Sequence, residues 1–263
     1  MRILLLNPNT TAAITDRLTA AARKVAAPGT TLIPLTAPRG MPYISGRAEA
    51  QIGGAVALEM LAEHQAEADA AILAAFGDPG LLGARELFDI PVLGMSEAAM
   101  LTACMLGRRF AIITFAATLA SWYEDCVEMH GLAGRCAGIR ALSEAFASIT
   151  DVAGEKEAQL VDLMTRTASD ARADVLILGG APLAGLADRI KSLIPVPLVD
   201  PVQAATRQAE TLVALAPRKA QLGTFRRPPA KETTGLPDAL ARRIGHADQQ
   251  NQSIHSGGKD PHP

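Results

Sequence analysis

From residue 2 to about residue 220, unbroken apolar runs of strand length alternate with alanine-rich stretches of helical length. The apolar runs are Ile3–Leu6, Thr31–Leu35, Ala70–Phe76, Pro91–Met95, Phe110–Thr114, Gly138–Ala141, Val175–Leu178 and Val196–Val199. Between and after them lie helical stretches: Ala12–Ala26, Ala48–Ala66, Leu81–Phe88, Glu97–Leu106, Leu119–His130, Glu155–Arg172, Ala181–Leu193 and Pro201–Leu215. Parallel neighbours need a crossover of a dozen or more residues, usually a helix, so this alternation predicts an α/β protein with parallel sheets. Strands that stay apolar at every position, without in–out alternation, predict sheets covered on both faces.

Charge and composition narrow the function. The 263 residues carry 25 basic against 27 acidic side chains, a net charge of −2, which leaves no electrostatic footprint for nucleic acid or an anionic membrane. Aromatics are only 3% of the chain, which argues against base stacking as a mode of recognition. No apolar run approaches the ~18 residues of a membrane span, and MRILLLNPNT has neither the apolar core nor the cleavage site of a signal peptide. Cys104, Cys126 and Cys136 include no C-x-x-C pair and read as reduced thiols packed as small apolar groups, so a cytoplasmic location is expected. The stretch Arg226–Pro263 contains five prolines, four glycines and no Phe, Tyr or Trp, and it reads as a disordered tail in which only Asp238–Ile244 has helical character.

Open parallel sheets bind ligands beyond the carboxyl ends of their strands. The polar and glycine residues found there are Asn7, Thr10 and Thr11; Gly77-Asp78-Pro79-Gly80; Ser96 and Glu97; Thr114, with Thr118 a turn later; Gly179-Gly180-Ala181; and Asp200. Asn7, Thr10 and Thr11 read either as a turn and helix cap or as an amide and hydroxyls that hold a carboxylate or ring carbonyl. Asp78 and Glu97 are the candidate catalytic carboxylates, as base or orienter of water, although Glu97 also suits the first turn of a helix. The turn 179–181 offers backbone N–H groups to an anion or oxyanion. Asp200, ahead of Pro201, reads as a helix cap. His64 and His130 read as surface histidines. No His/Cys/Asp set shows metal-ligand spacing, and no nucleotide motif is present, so neither a metal nor a cofactor is expected.

Six ordered segments carry a family resemblance: MRILLLNPNTT at the start, AAFGDPGLLGAREL at 74–87, PVLGMSEAAM at 91–100, LGGAPLAGLA at 178–187, VPLVDPV at 196–202 and LGTFRRPPAK at 222–231. Together they resemble the hydantoin racemase branch of the aspartate/glutamate racemase superfamily. The resemblance implies two similar parallel-sheet α/β lobes (1–99 with 205–225, and 100–204) with the active site in the cleft between them. It also implies a small-molecule substrate, no cofactor and a homo-oligomer. Tyr43 and Arg47 fall in a loop that lies near the cleft in the family, and can meet a ring and a carboxylate.

Family racemases pass a proton between two thiols on opposite faces of a carbon α to a carbonyl. The residues at those two places in this sequence are Ala75 and Gly180. Three readings follow. The favoured one is hydrolysis or desulfurisation of a hydantoin or thiohydantoin ring, or of a related carboxylate, by a water activated by Asp78 or Glu97. The second is a racemase or isomerase that uses other acid/base groups. The third is an inactive protein that binds a small ligand.

Overall fold

A computed structural model describes residues 1–143 and 146–247. The apolar runs form two parallel sheets of four strands. The first contains β1 (Arg2–Asn7), β2 (Thr31–Thr36), β3 (Ala70–Leu73) and β4 (Val92–Gly94), in the order β2-β1-β3-β4. The second contains β5 (Phe110–Thr114), β6 (Cys136–Ala141), β7 (Val175–Leu178) and β8 (Leu198–Val199), in the order β6-β5-β7-β8. Strand for strand the two orders are the same, so β5 corresponds to β1 and β7 to β3. The inner strands β3, β5 and β7 are buried at every residue, which is why their sequences do not alternate. Pro34 lies in β2, an edge strand, where a missing N–H costs the sheet little.

Helices α1 (Ala12–Arg23), α2 (Arg47–His64), α3 (Leu81–Leu87) and α4 (Met95–Leu106) follow the strands of the first sheet. Those of the second are followed by α5 (Ala120–Met129), α6 (Val152–Glu155), α7 (Glu157–Asp170), α8 (Leu186–Ile190) and α9 (Pro201–Leu215). Helix α9 returns from the second sheet to pack on α4, α1, β3 and β4, and one continuous core runs through both lobes. Its start is fixed by Asp200, whose carboxylate accepts from the N–H groups of Val202 and Gln203 and, across the lobe, of Gly185.

Three expectations change. The stretch 181–193 is not one helix: Pro182 confines the chain to a single tight turn, and Gly185, at φ 80°, redirects it into the short α8. The helix expected from Glu155 begins earlier, at Val152, and is interrupted at Lys156 before α7. Part of the supposed tail packs: α10 (Asp238–Ile244) lies against α2, while the stretch 229–237 before it is largely exposed. The reason is Arg243: it donates twice to the Leu87 carbonyl at 2.9 and 2.8 Å, pairs with Asp89, and covers the Phe88 ring. The rest of the tail, 248–263, lies outside the described residues. Arg243→Ala should lower stability by about 2–3 kcal/mol, because it strips a buried carbonyl of a charged donor; denaturant unfolding with an unchanged slope would measure this.

Candidate active site

The carboxyl ends of the two sheets face each other, and the equivalence of β3 and β7 decides what meets there. Ala75 is the second residue beyond β3 and Gly180 the second beyond β7. Five residues further on in each repeat, Gly80 and Gly185 take the same left-handed conformation (φ 84° and 80°) to start α3 and α8. Ala75 and Gly180 line one small inner void, about 20 Å³, together with Asn9, Tyr43, Trp122 and Tyr123.

The walls of this void are aromatic. Of nine aromatic residues in the chain, four line it, Tyr43, Phe76, Trp122 and Tyr123, and two more stand behind them: Phe115 contacts Tyr43, and Phe146 contacts Phe115. A low aromatic content therefore says little here, because the few aromatics are concentrated at one place. Among the described residues, the titratable groups lining the void are two phenols, Tyr43 and Tyr123. Tyr43 is half-buried, with its hydroxyl buried and unpartnered, and burial raises its pKa, helped by the nearby charge of Glu49. Burial also pushes Tyr123 well above its ordinary value. A Cβ placed on Gly180 would lie 3.6 Å from the Tyr123 hydroxyl.

Trp122 divides the cleft. Its indole lies over Gly77 so closely that a Cβ there would come within 2.3 Å of the ring, and it lines both the inner void and a larger outer cavity of about 480 Å³. The outer cavity lies between α2, the turn 77–80 and α5, and includes Arg47, Asp78, Asp125 and Cys126. At its rim Arg47 pairs with Asp125 and donates to the Ser121 carbonyl, which fastens α2 of one lobe to α5 of the other.

Behind the outer cavity is a buried charge network. Asp78 holds φ 49°, a conformation that Asp tolerates better than most residues, and its two carboxylate oxygens accept from the N–H groups of Ser96 and Glu97 at 2.9 Å each. It thus caps α4 from a distance, and also meets His130 Nε2 at 3.0 Å. His130 Nδ1 lies 3.4 Å from Glu97, which Arg85 grips with both terminal nitrogens. Burial opposes the charge on Glu97, but hydrogen bonds from His130 and Arg85 prevail and bring its pKa down to about 2. Burial likewise opposes the imidazolium, yet Asp78, Cys126 and Glu97 push His130 up to about 11.

The sequence-expected residues divide accordingly. Gly180 and Ala181 line the inner void, and Arg47, Gly77 and Asp78 the outer cavity, while Gly179 packs against Ile112 and Tyr123. Asn7 is consumed in building the turn, donating to Asn9 at 3.1 Å and Thr15 at 2.9 Å. Thr10 and Thr11 tie that turn to Met41 and Pro42, beside the loop that carries Tyr43. Asn9, not Asn7, reaches the void. Thr114 is buried beside the Tyr123 phenol, and Thr118 is exposed on a short turn away from both cavities. Neither Asp78 nor Glu97 is a free carboxylate. His130, expected at the surface, is buried, with a side chain only 4% exposed. The signal for it was available: Cys126 and His130 are four residues apart on a helix that also carries Trp122 and Tyr123, so they share its inward side.

Two pseudo-equivalent parallel lobes, with a site where the ends of matching strands face each other, define a class of two-lobed α/β cleft proteins. The profile of the Asp/Glu/Hydantoin racemase family matches residues 3–209, and the chain belongs to that family. It is 30% identical to a hydantoin racemase of Pseudomonas sp. (strain NS671), over 92% of this chain and 98% of that one. It is 31% identical to the hydantoin racemase of Paenarthrobacter aurescens, over 88% and 99%. Among solved structures it resembles an allantoin racemase from Klebsiella pneumoniae, with a TM-score of 0.86 at 33% identity, covering 91% of this chain and 98% of that one. Arylmalonate decarboxylase, at 18% identity and a TM-score of 0.63, shares the fold. None of the helices among the described residues is long and apolar enough to cross a membrane.

Proposed function

We propose that this protein binds a small cyclic ureide of the hydantoin class between its lobes and exchanges the proton on the carbon α to a ring carbonyl, racemising it. This reverses the order of the readings drawn from sequence, in which hydrolysis stood first. Hydrolysis needs a free carboxylate base beside the substrate, and Asp78 and Glu97 are held in the buried network behind the outer cavity and do not line the inner void. The observation that carries racemisation is the Tyr123 hydroxyl, 3.6 Å from where a side chain at Gly180 would begin. A phenol thus lies beside the place where the family resemblance puts a thiol. Tyr43 supplies a second, unpartnered phenol on the wall of the same void. Protonated, a phenol donates to the developing enolate oxygen; deprotonated, it takes the α-proton. The void is far smaller than a ureide, so binding requires the lobes to part at Arg47–Asp125 and Trp122 to swing aside.

The test is to incubate an enantiopure 5-substituted hydantoin with the protein in deuterated water, following optical rotation and mass. The expected result is deuterium at C5 with loss of rotation and no ring opening. Because burial raises both phenols above their usual pKa near 10, the basic form is scarce at neutral pH, so the rate should climb about tenfold per pH unit from 7 to 9. Tyr123→Phe should slow exchange by about 10²-fold. An opened ring carrying solvent oxygen, or unchanged exchange in Tyr123→Phe, would overturn the assignment.

A further inference from the structure

We propose that Asp78, Cys126 and His130 form a binding site for a divalent transition ion of the zinc class, with a fourth coordination position open to the outer cavity. The proposal is independent of the reaction assigned to the inner void. One ligand atom from each residue, a carboxylate oxygen, a thiol sulfur and an imidazole nitrogen, lies within 4.8 Å of the other two. Tetrahedral zinc with bonds of about 2.0–2.3 Å separates its ligands by roughly 3–4 Å, so an ion draws these side chains inward by about an ångström or less. Helical geometry supplies two of the three: the His130 N–H bonds back to the Cys126 carbonyl, which stacks the two side chains one turn apart.

The surroundings are those of a metal site. An imidazole that binds metal through one nitrogen generally donates from the other to a carboxylate, which fixes its tautomer and orientation. Here Nε2 faces Asp78, while Nδ1 faces Glu97, itself held in place by Arg85. The Ser96 hydroxyl lies 3.4 Å from Cys126 Sγ and already accepts from the Gly77 N–H at 2.8 Å, which leaves its own proton free for a thiolate. The N–H groups of Ser96 and Glu97 hold the Asp78 carboxylate. Asp78 and Cys126 both border the cavity of about 480 Å³, which gives a water or a ligand oxygen room at the fourth position. Mixed thiolate, imidazole and carboxylate ligation favours zinc or cobalt over magnesium or calcium.

Full-length protein, stripped with chelator, is titrated with Co²⁺ and then Zn²⁺. The expected result is one Co²⁺ per chain with a thiolate-to-cobalt charge-transfer band and tetrahedral visible absorption, both lost on adding Zn²⁺. Cys126→Ser, which exchanges a single atom and leaves the fold intact, should abolish the charge-transfer band and weaken binding by at least about 100-fold; Glu97→Gln should weaken it about 10–100-fold. Cys136→Ser should change neither. Absence of the band in the unmodified protein, equal binding by Cys126→Ser, or loss of the band in Cys136→Ser would each overturn the site.

Discussion

Replacing His130 by glutamine is expected to destabilise the chelator-treated protein by about 3–5 kcal/mol, the usual cost of removing one partner from a buried ion pair. The imidazole, at the end of α5 in the second lobe, pairs with the carboxylates of both Asp78 and Glu97, and its loss leaves both of them buried with Arg85 paired to Glu97 alone. For a chain of this size the melting temperature should fall by roughly 10 °C. The pH dependence identifies the cause. The folded pKa of His130 is pushed up to about 11 from an ordinary 6.5. A raised value means that the stabilisation is complete below the unfolded pKa and drains away as pH rises toward the folded one. The gap between wild type and His130→Gln should therefore be widest near pH 5–6 and narrow steadily through pH 8–10. Glu97 acts on the acid side. Its pKa is held at about 2, so its contribution is complete above about 4.5 and lost as pH falls toward 2. Unfolding curves for both proteins across pH 4–10 measure this. A gap independent of pH would mean that His130 stabilises by packing alone, without its charge.

The architecture was legible in the sequence because strands buried on both faces must be apolar throughout, and crossover helices must separate them. Asp200 was legible too, since an aspartate before a proline at a strand end has one obvious structural use. The site was harder to read for a reason that His130 illustrates. A histidine at the end of a helix, followed by glycine, has a local sequence that suits the surface, and only the approach of Asp78 from a turn more than fifty residues away makes it interior. Asp78 and Glu97 were found, but their roles depend on partners that sequence order does not reveal. Tyr123 is hard to read for the opposite reason: with Trp122 it lies on an inward helix face that fits packing, and both do pack, while also forming the wall of the void. The matching strand orders of the lobes, which place Ala75 opposite Gly180, come from pairing between distant segments and leave little trace in local composition.

Those two positions carry the second large prediction, in which cysteines are placed at both. Ala75→Cys adds one sulfur to a side chain that already borders the inner void, and it should fold like the unmodified protein. Gly180→Cys meets more resistance. The backbone there has φ 124°, which L-residues rarely adopt, and a Cβ would sit 2.7 Å from Cε1 of Phe115. The single variant should lose about 1–3 kcal/mol from this strain. Truncating the ring, as in Phe115→Leu, removes the clash and should recover part of the loss. A lone thiol at 75 can take a proton but has no matching thiol to return one on the opposite face, so it should raise deuterium exchange at C5 of a hydantoin more than it raises racemisation. With both thiols and Phe115→Leu, the two rates should rise together, by about 10²–10⁴-fold over the unmodified chain. Thiols near pKa 8.5 are far better matched to neutral pH than the buried phenols, so the pH profile should also flatten above pH 8. If the triple variant is folded and binds the hydantoin yet exchanges no proton, the inner void is not where the α-carbon sits. Tyr123 would then lose its assignment along with the thiol positions, because all three depend on the same placement of the substrate between β3 and β7.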